Sequence, residues 1–204
     1  MKVLIMSDIE GASSVNDWRQ ISPLFGDGFN DCINAVSSDI NAVIRGIRRS
    51  NAEVEIEIID GHGDGGNLRQ ELIESNGVII KKDILSLVNG GYSVVFTVGQ
   101  HACAGTRNGF LSHTGGVDYG ICINGKHAGE VANFAWLFGA YDIPVVLVTG
   151  DDAVVREASA LLPGVKTVTV KNSSSRVDTE CLPISETSSM IENEAFCIMQ
   201  NRES

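Results

Sequence analysis

Short apolar runs recur along this chain between longer segments with helical spacing, and that alternation limits the folds open to it. "KVLIMS" (2–7), "EVEIEIID" (53–60), "GVIIKK" (77–82), "YSVVFTVG" (92–99), "IPVVLVTG" (143–150) and "VKTVTVK" (165–171) read as strands. "YSVVFTVG" is fully apolar and "IPVVLVTG" is another buried run, which marks strands covered on both sides, while "EVEIEIID" alternates charged and apolar residues, as in a strand with one partly exposed face. Between them, "DCINAVSSDINAVIRGIRRS" (31–50), "DILSLVNGG" (83–91), "EVANFAWLFGAYD" (130–142) and "DDAVVREASALLP" (151–163) carry apolar residues at helical intervals. "SETSSMIENEAFCIMQN" (185–201) predicts a closing helix after the polar stretch "NSSSR". "YGICINGKHAG" places Asn124-Gly125 between alternating residues, a strong hairpin signal. The pattern predicts an α/β fold: a layered α/β/α domain with a largely parallel sheet and one β-hairpin. No low-complexity linker interrupts it, so residues 1–204 read as a single domain.

A net charge of −11 argues against nucleic acid and anionic membrane as partners and is compatible with cation binding. The longest apolar runs, such as "IPVVLV", are too short to span a bilayer, and no signal-type segment opens the chain. Five cysteines, odd in number and without a C-x-x-C pair, read as reduced thiols. The expected compartment is cytoplasmic.

Ligands of such sheets collect at the carboxyl ends of strands. "MSDIEG" (6–11) puts two carboxylates, Asp8 and Glu10, at the end of the first strand. Residues two apart in an extended segment face the same way, so the pair converges while Ile9 turns to the core. Such carboxylates repel unless protonated, hydrogen-bonded or neutralised by a cation. The plainer alternative makes Asp8 a helix cap and leaves Glu10 in solvent. His62 in "DGHG" and His101 in "GQHA" also follow strands. Imidazole with carboxylate is typical zinc ligation, so the four residues together suggest a divalent transition metal. "GHGDGG" (61–66) also satisfies G-x-G-x-x-G, but Asp60 and Asp64 would repel a pyrophosphate, and "NLRQELIESNG" is short and polar for a crossover helix. Asp151 and Asp152 read as caps of the helix they begin.

The chain resembles the DppA-type D-aminopeptidases, a family of cytoplasmic zinc peptidases that assemble into rings. "SDIEG", "DGHG", "GQHACAGT", "LSHT", "INGKHAGEVA", "DIPVVLVTGDD", "LLPGVKTVTVK" and "SSSR" carry the resemblance, in order and over nearly the whole chain. Position by position, it implies Asp8, Glu10, His62, His101 and Glu130 as metal ligands and His113, in a Gly-flanked loop, as the catalytic histidine. His127 matches no functional residue of the family and reads as a surface hairpin residue. Members of the family continue beyond the position of Ser204, and "WRQISPLFGDGF" looks shorter than their corresponding region. Substrate specificity and ring stoichiometry are the properties this difference affects.

Five ligands exceed one tetrahedral site but suit two Zn2+ ions sharing a carboxylate, with Asp8 as the bridge. Three carboxylates contribute −3 against +4, and the residual positive charge favours a water whose pKa zinc lowers to about 7. The resemblance thus implies a zinc-dependent aminopeptidase that removes N-terminal D-amino acids from short peptides or aminoacyl amides. It also implies a homo-oligomer, the ring being a decamer in one form. Two alternatives stay open: another two-metal amidohydrolase or phosphoesterase, and a metal-binding homologue without catalysis.

Overall fold

The computed structural model describes residues 1–74, 76–81, 83–116 and 119–203. Nine strands and five α-helices are found among them: β1 (Lys2–Ser7), α1 (Asp27–Ser50), β2 (Glu55–Asp60), β3 (Val78–Ile80), α2 (Ile84–Val88), β4 (Val94–Gln100), β5 (Ile121–Ile123), β6 (Lys126–Ala128), α3 (Glu130–Gly139), β7 (Val145–Asp151), α4 (Asp152–Leu161), β8 (Lys166–Ser173), β9 (Thr179–Cys181) and α5 (Ile184–Glu203). Seven strands form one sheet in the order β3-β2-β1-β4-β7-β8-β9, and β5 and β6 form a separate hairpin. Every pairing in the large sheet is parallel except β8 with β9. The predicted α/β fold with a largely parallel sheet and one hairpin is therefore what the chain adopts.

The core follows from strand alternation. On β1, Val3 and Ile5 face a cluster that includes Ile40, Val43 and Ile44 of α1 and Ile191 and Met199 of α5. Leu4 and Met6 face the opposite layer, with Val88, Phe138 and Ile143. Both faces of β1 are thus buried, which explains its uninterrupted apolar run. Across the α1–α5 contact, Glu192 accepts hydrogen bonds from Arg45 (3.0 Å) and Arg49 (2.8 Å). The hairpin turn has positive φ at both Asn124 (52°) and Gly125 (77°), as a two-residue hairpin loop of this kind requires.

The sheet reverses its winding direction between β1 and β4. From β1 the chain builds outward through β2 and β3, and from β4 it builds the other way through β7 and β8. A switch of this kind opens a crevice at the carboxyl ends of the two central strands. Asp8 follows β1 there, and His101 follows β4.

Several local expectations change. β8 runs on to Ser173, and the polar stretch after it returns as the edge strand β9, where the sequence predicted no strand. Residues 18–25 form two 3-10 turns, Trp18–Ile21 and Pro23–Phe25. Among the described residues, the β2–β3 connection contains only the 3-10 turn Gln70–Leu72, in keeping with its polar sequence. The predicted third strand included Lys82, which lies outside the described residues. All five cysteines are free, as their spacing indicated.

Candidate metal centre

β1 ends at Ser7, one residue before Asp8, so the two carboxylates converge through a turn and not through strand alternation. In that turn the Ala12 N–H donates to the Ile9 carbonyl (3.2 Å), and Ile9 is buried. Asp8 and Glu10 are only 3% and 1% exposed, so the cap-and-solvent alternative does not describe them. Gly11 explains the end of the motif. A Cβ at that position would lie 1.8 Å from the Gln100 carbonyl oxygen, so only glycine lets the turn lie against β4. The Gly11 N–H donates to the Gly99 carbonyl (2.8 Å), and the Ser13 N–H donates to Asp39 on α1 (2.8 Å).

His62 is held by a loop that Asp60 closes. The Asp60 carboxylate accepts from the backbone N–H groups of His62 (3.2 Å), Asn67 (2.5 Å) and Leu68 (3.1 Å). Those are donors a bound phosphate would need, so "GHGDGG" is a built turn and not a nucleotide cradle. His62 Nδ1 lies 3.3 Å from Asp8 Oδ1 and 3.0 Å from Glu10 Oε1.

His101 Nδ1 donates to the Ala102 carbonyl (3.0 Å), which leaves Nε2 as the nitrogen with a free lone pair. That Nε2 is fully buried without a hydrogen-bond partner among the described residues, 3.3 Å from Asp8 Oδ2 and 3.6 Å from Glu130 Oε1. Glu130 is the first residue of α3, and its carboxylate also accepts from the Gly115 N–H (2.8 Å). His113 lies in the loop between β4 and β5, pinned by its own N–H to the Ala102 carbonyl (3.2 Å). Its ring stacks on His101 with centroids 3.9 Å apart and planes at 12°. Nδ1 donates to the Leu111 carbonyl (2.8 Å), so Nε2 faces Glu130 at 4.0 Å.

All six residues singled out by the sequence, Asp8, Glu10, His62, His101, Glu130 and His113, therefore meet in one crevice. His127 stands apart as an exposed residue of the hairpin, beside Cys122. Asp151 caps α4 by accepting from the Val154 N–H (2.8 Å), as expected, while Asp152 accepts from the Ser173 N–H (2.8 Å).

The electrostatics fit a cation. Among the described residues no lysine or arginine pairs with the carboxylates of Asp8, Glu10 or Glu130, and imidazoles are the basic side chains that face them. Burial and the neighbouring Asp8 charge raise the Glu10 pKa. Burial opposes ionisation of Asp8 too, but the imidazoles of His101 and His62 that face it hold its carboxyl well below the usual range. Burial would lower His62, yet Asp8 and Glu10 outweigh it and raise the imidazole to about 10. The cluster thus draws positive charge from its own histidines, which is the balance divalent ions would otherwise supply. Two triplets of potential ligand atoms, Asp8–Glu10–His101 and His101–His113–Glu130, each lie within 4.8 Å of one another. Donor type, burial and the orphaned His101 Nε2 all suit zinc.

The family model for the D-aminopeptidases, the M55 peptidases, matches residues 1–204. The chain belongs to this family. A curated D-aminopeptidase of Bacillus subtilis (strain 168) is 31% identical to this M55 chain over 157 residues, 73% of this chain and 56% of that protein. The chain is also similar to a solved structure of the Zn-dependent D-aminopeptidase DppA from Bacillus subtilis, described as a self-compartmentalizing protease. That likeness has a TM-score of 0.87 at 27% identity, and covers 100% of this chain and 75% of that one.

The sequence did not reveal Lys171, which supports this M55 site from below. Strand alternation would turn Lys171 away from the face that buries Val168 and Val170, but the β7–β8 register shifts between Gly150 and Asp151. Lys171 is fully buried, donating to the carbonyls of Glu10 (2.8 Å) and Val15 (2.5 Å), with its Nζ 4.9 Å from the Phe110 ring centroid. Burial pushes its pKa down to about 8. Lys171→Met leaves the Glu10 carbonyl without this donor, and the Val15 carbonyl with only the weak Cys181 thiol (3.7 Å), at the turn that carries Glu10. The expected loss is about 1–3 kcal/mol of unfolding free energy in a urea titration, accompanied by weaker zinc retention. Wild-type stability and zinc retention in this variant would show that the ammonium does not hold the turn.

Proposed function

We propose that this chain is a zinc-dependent aminopeptidase releasing N-terminal D-amino acids from short peptides or aminoacyl amides. Two ions would be held by Asp8, Glu10, His62, His101 and Glu130. The observation that carries the dinuclear reading is the orientation of Asp8. One of its oxygens lies 3.3 Å from His62 Nδ1 and the other 3.3 Å from His101 Nε2. That divides the donors into Asp8–Glu10–His62 and Asp8–His101–Glu130, joined by a single carboxylate.

When bound, zinc supplies Lewis acidity that acidifies water and polarises a carbonyl oxygen. His113 does the proton work. With Nδ1 committed to Leu111, its Nε2 accepts the proton of an attacking water and returns it to the leaving nitrogen. The cleft opens into a cavity of about 310 Å³ lined by Asp8, His62, His113 and Glu130 among others, at the small end for ligand sites. That size suits a short peptide end. The self-compartmentalizing nature of the structural neighbour supports a homo-oligomer for this chain, and a ring such as a decamer belongs to the same reading.

The test combines zinc content, mass by light scattering, and turnover on paired D- and L-aminoacyl amides beside a generic phosphoester. The proposal expects about two zinc ions per chain, a mass above the monomer, and preferential cleavage of the D-series. Phosphoester cleavage alone would select a different two-metal hydrolase. Retained zinc with no turnover would select a metal-binding homologue.

A further inference from the structure

Glu130 and Asn133 lie three residues apart on α3, and Phe134 follows, so one helix face turns all three toward the same cavity. Glu130 commits its carboxylate to the metal cluster and to the Gly115 N–H. Thr114, also on the cavity wall, is buried and accepts from the Ala104 N–H (3.0 Å). His113 commits Nδ1 to Leu111. The side-chain amide of Asn133 has no hydrogen-bond partner among the described residues, and it is half-buried. The same cavity is also lined by the apolar Ile121 and Phe134.

We propose that Asn133 is a specificity-determining residue whose amide hydrogen-bonds the peptide unit next to the scissile bond, on the leaving-group side. This rests on the peptidase reading above. An uncharged amide offers both a donor and an acceptor, which matches the N–H and C=O of a peptide unit. A charged terminus at this position would be stripped of water against Ile121 and Phe134 without a counter-charge. The spacing also agrees. Three residues of α-helix advance about 4.5 Å, close to the ~3.8 Å between successive α-carbons of a bound peptide. A substrate laid along α3 with its scissile carbonyl beside Glu130 would bring its next peptide unit to Asn133. Ile121 and Phe134 are left to flank an apolar side chain. The preferred substrates are then tripeptides and dipeptide amides with apolar residues, ahead of simple aminoacyl amides.

Two uncleavable probes test this on the zinc-loaded full chain by calorimetry. One is a D-dipeptide amide with small apolar side chains whose first peptide bond is reduced to CH2–NH. The other is the same molecule with a methyl group in place of the terminal carboxamide. The wild type should bind the first about 3–10-fold more tightly, the usual worth of one hydrogen bond. Asn133→Ala and the near-isosteric Asn133→Leu should both erase that preference while keeping wild-type zinc content. A wild type that binds the two probes equally would overturn the assignment. So would variants that retain the preference, or that weaken both probes to the same extent. Turnover of aminoacyl amides, which lack the second peptide unit, reports separately on the peptidase activity. Its absence beside an intact probe preference would remove the peptidase reading and leave Asn133 as a residue that binds a peptide unit but sets the specificity of no cleavage.

Discussion

Asp8→Ala should lose both zinc ions, not one. Each Asp8 oxygen faces a different imidazole, His62 or His101, so the carboxylate would belong to both of the proposed donor sets. Without it, one set retains Glu10 and His62 and the other His101 and Glu130, and two protein ligands are fewer than the three that catalytic zinc sites use. Elemental analysis after desalting should fall from about two ions per chain to well below one, and turnover should fall to background. The fold itself should persist. Asp8 is one of the two causes that raise the Glu10 pKa, so its removal relieves a repulsion inside the metal-free cluster. Circular dichroism should therefore match the wild type. Glu10→Ala offers the contrast, because Glu10 faces His62 at 3.0 Å and belongs to one set, so it should weaken one ion much more than the other. Retention of one ion at wild-type affinity in Asp8→Ala would show that Asp8 serves a single metal.

The sheet and its helices were legible because burial on both faces leaves a plain mark, a run such as "VVFTV" bounded by turn residues. β9 was not legible. Its three residues, Thr179–Cys181, have no apolar pattern and are strand only because the edge of β8 is there to pair with. The candidate ligands at strand ends, Asp8, His62 and His101, could be read as a group because a parallel sheet gathers such positions. Glu130 and His113 could not, since one opens a helix and the other sits in an irregular loop. Only the resemblance to the family named them. Lys171 and Asn133 were missed for different reasons. A register shift in the β7–β8 pairing turns Lys171 inward, and no residue type announces that shift. Asn133 gains meaning only from the fold, as the polar group on the Glu130 face of α3.

His113→Ala should separate proton transfer from metal binding. His113 completes neither of the donor sets that share Asp8, and its Nε2 is 4.0 Å from Glu130 Oε1, longer than the 3.6 Å of His101. The variant should therefore keep about two zinc ions and the wild-type fold. Turnover should drop by roughly 10²–10⁴-fold, the usual contribution of a positioned acid–base group, while KM changes much less because the cavity and its carboxylates remain. One feature of the site makes the measurement decisive. His113 stacks on His101 at 3.9 Å, and one triplet of possible ligand atoms within 4.8 Å is His101–His113–Glu130. If His113 instead binds metal, one ion should be lost with the activity, and adding excess zinc should restore part of both. If it carries the proton, zinc content stays normal and excess zinc restores nothing. His127→Ala serves as the control, since that imidazole is exposed on the hairpin beside Cys122, and both zinc content and turnover should remain near wild type. Near-normal turnover in His113→Ala would take this histidine out of the mechanism and leave the proton transfer to water or to Glu130.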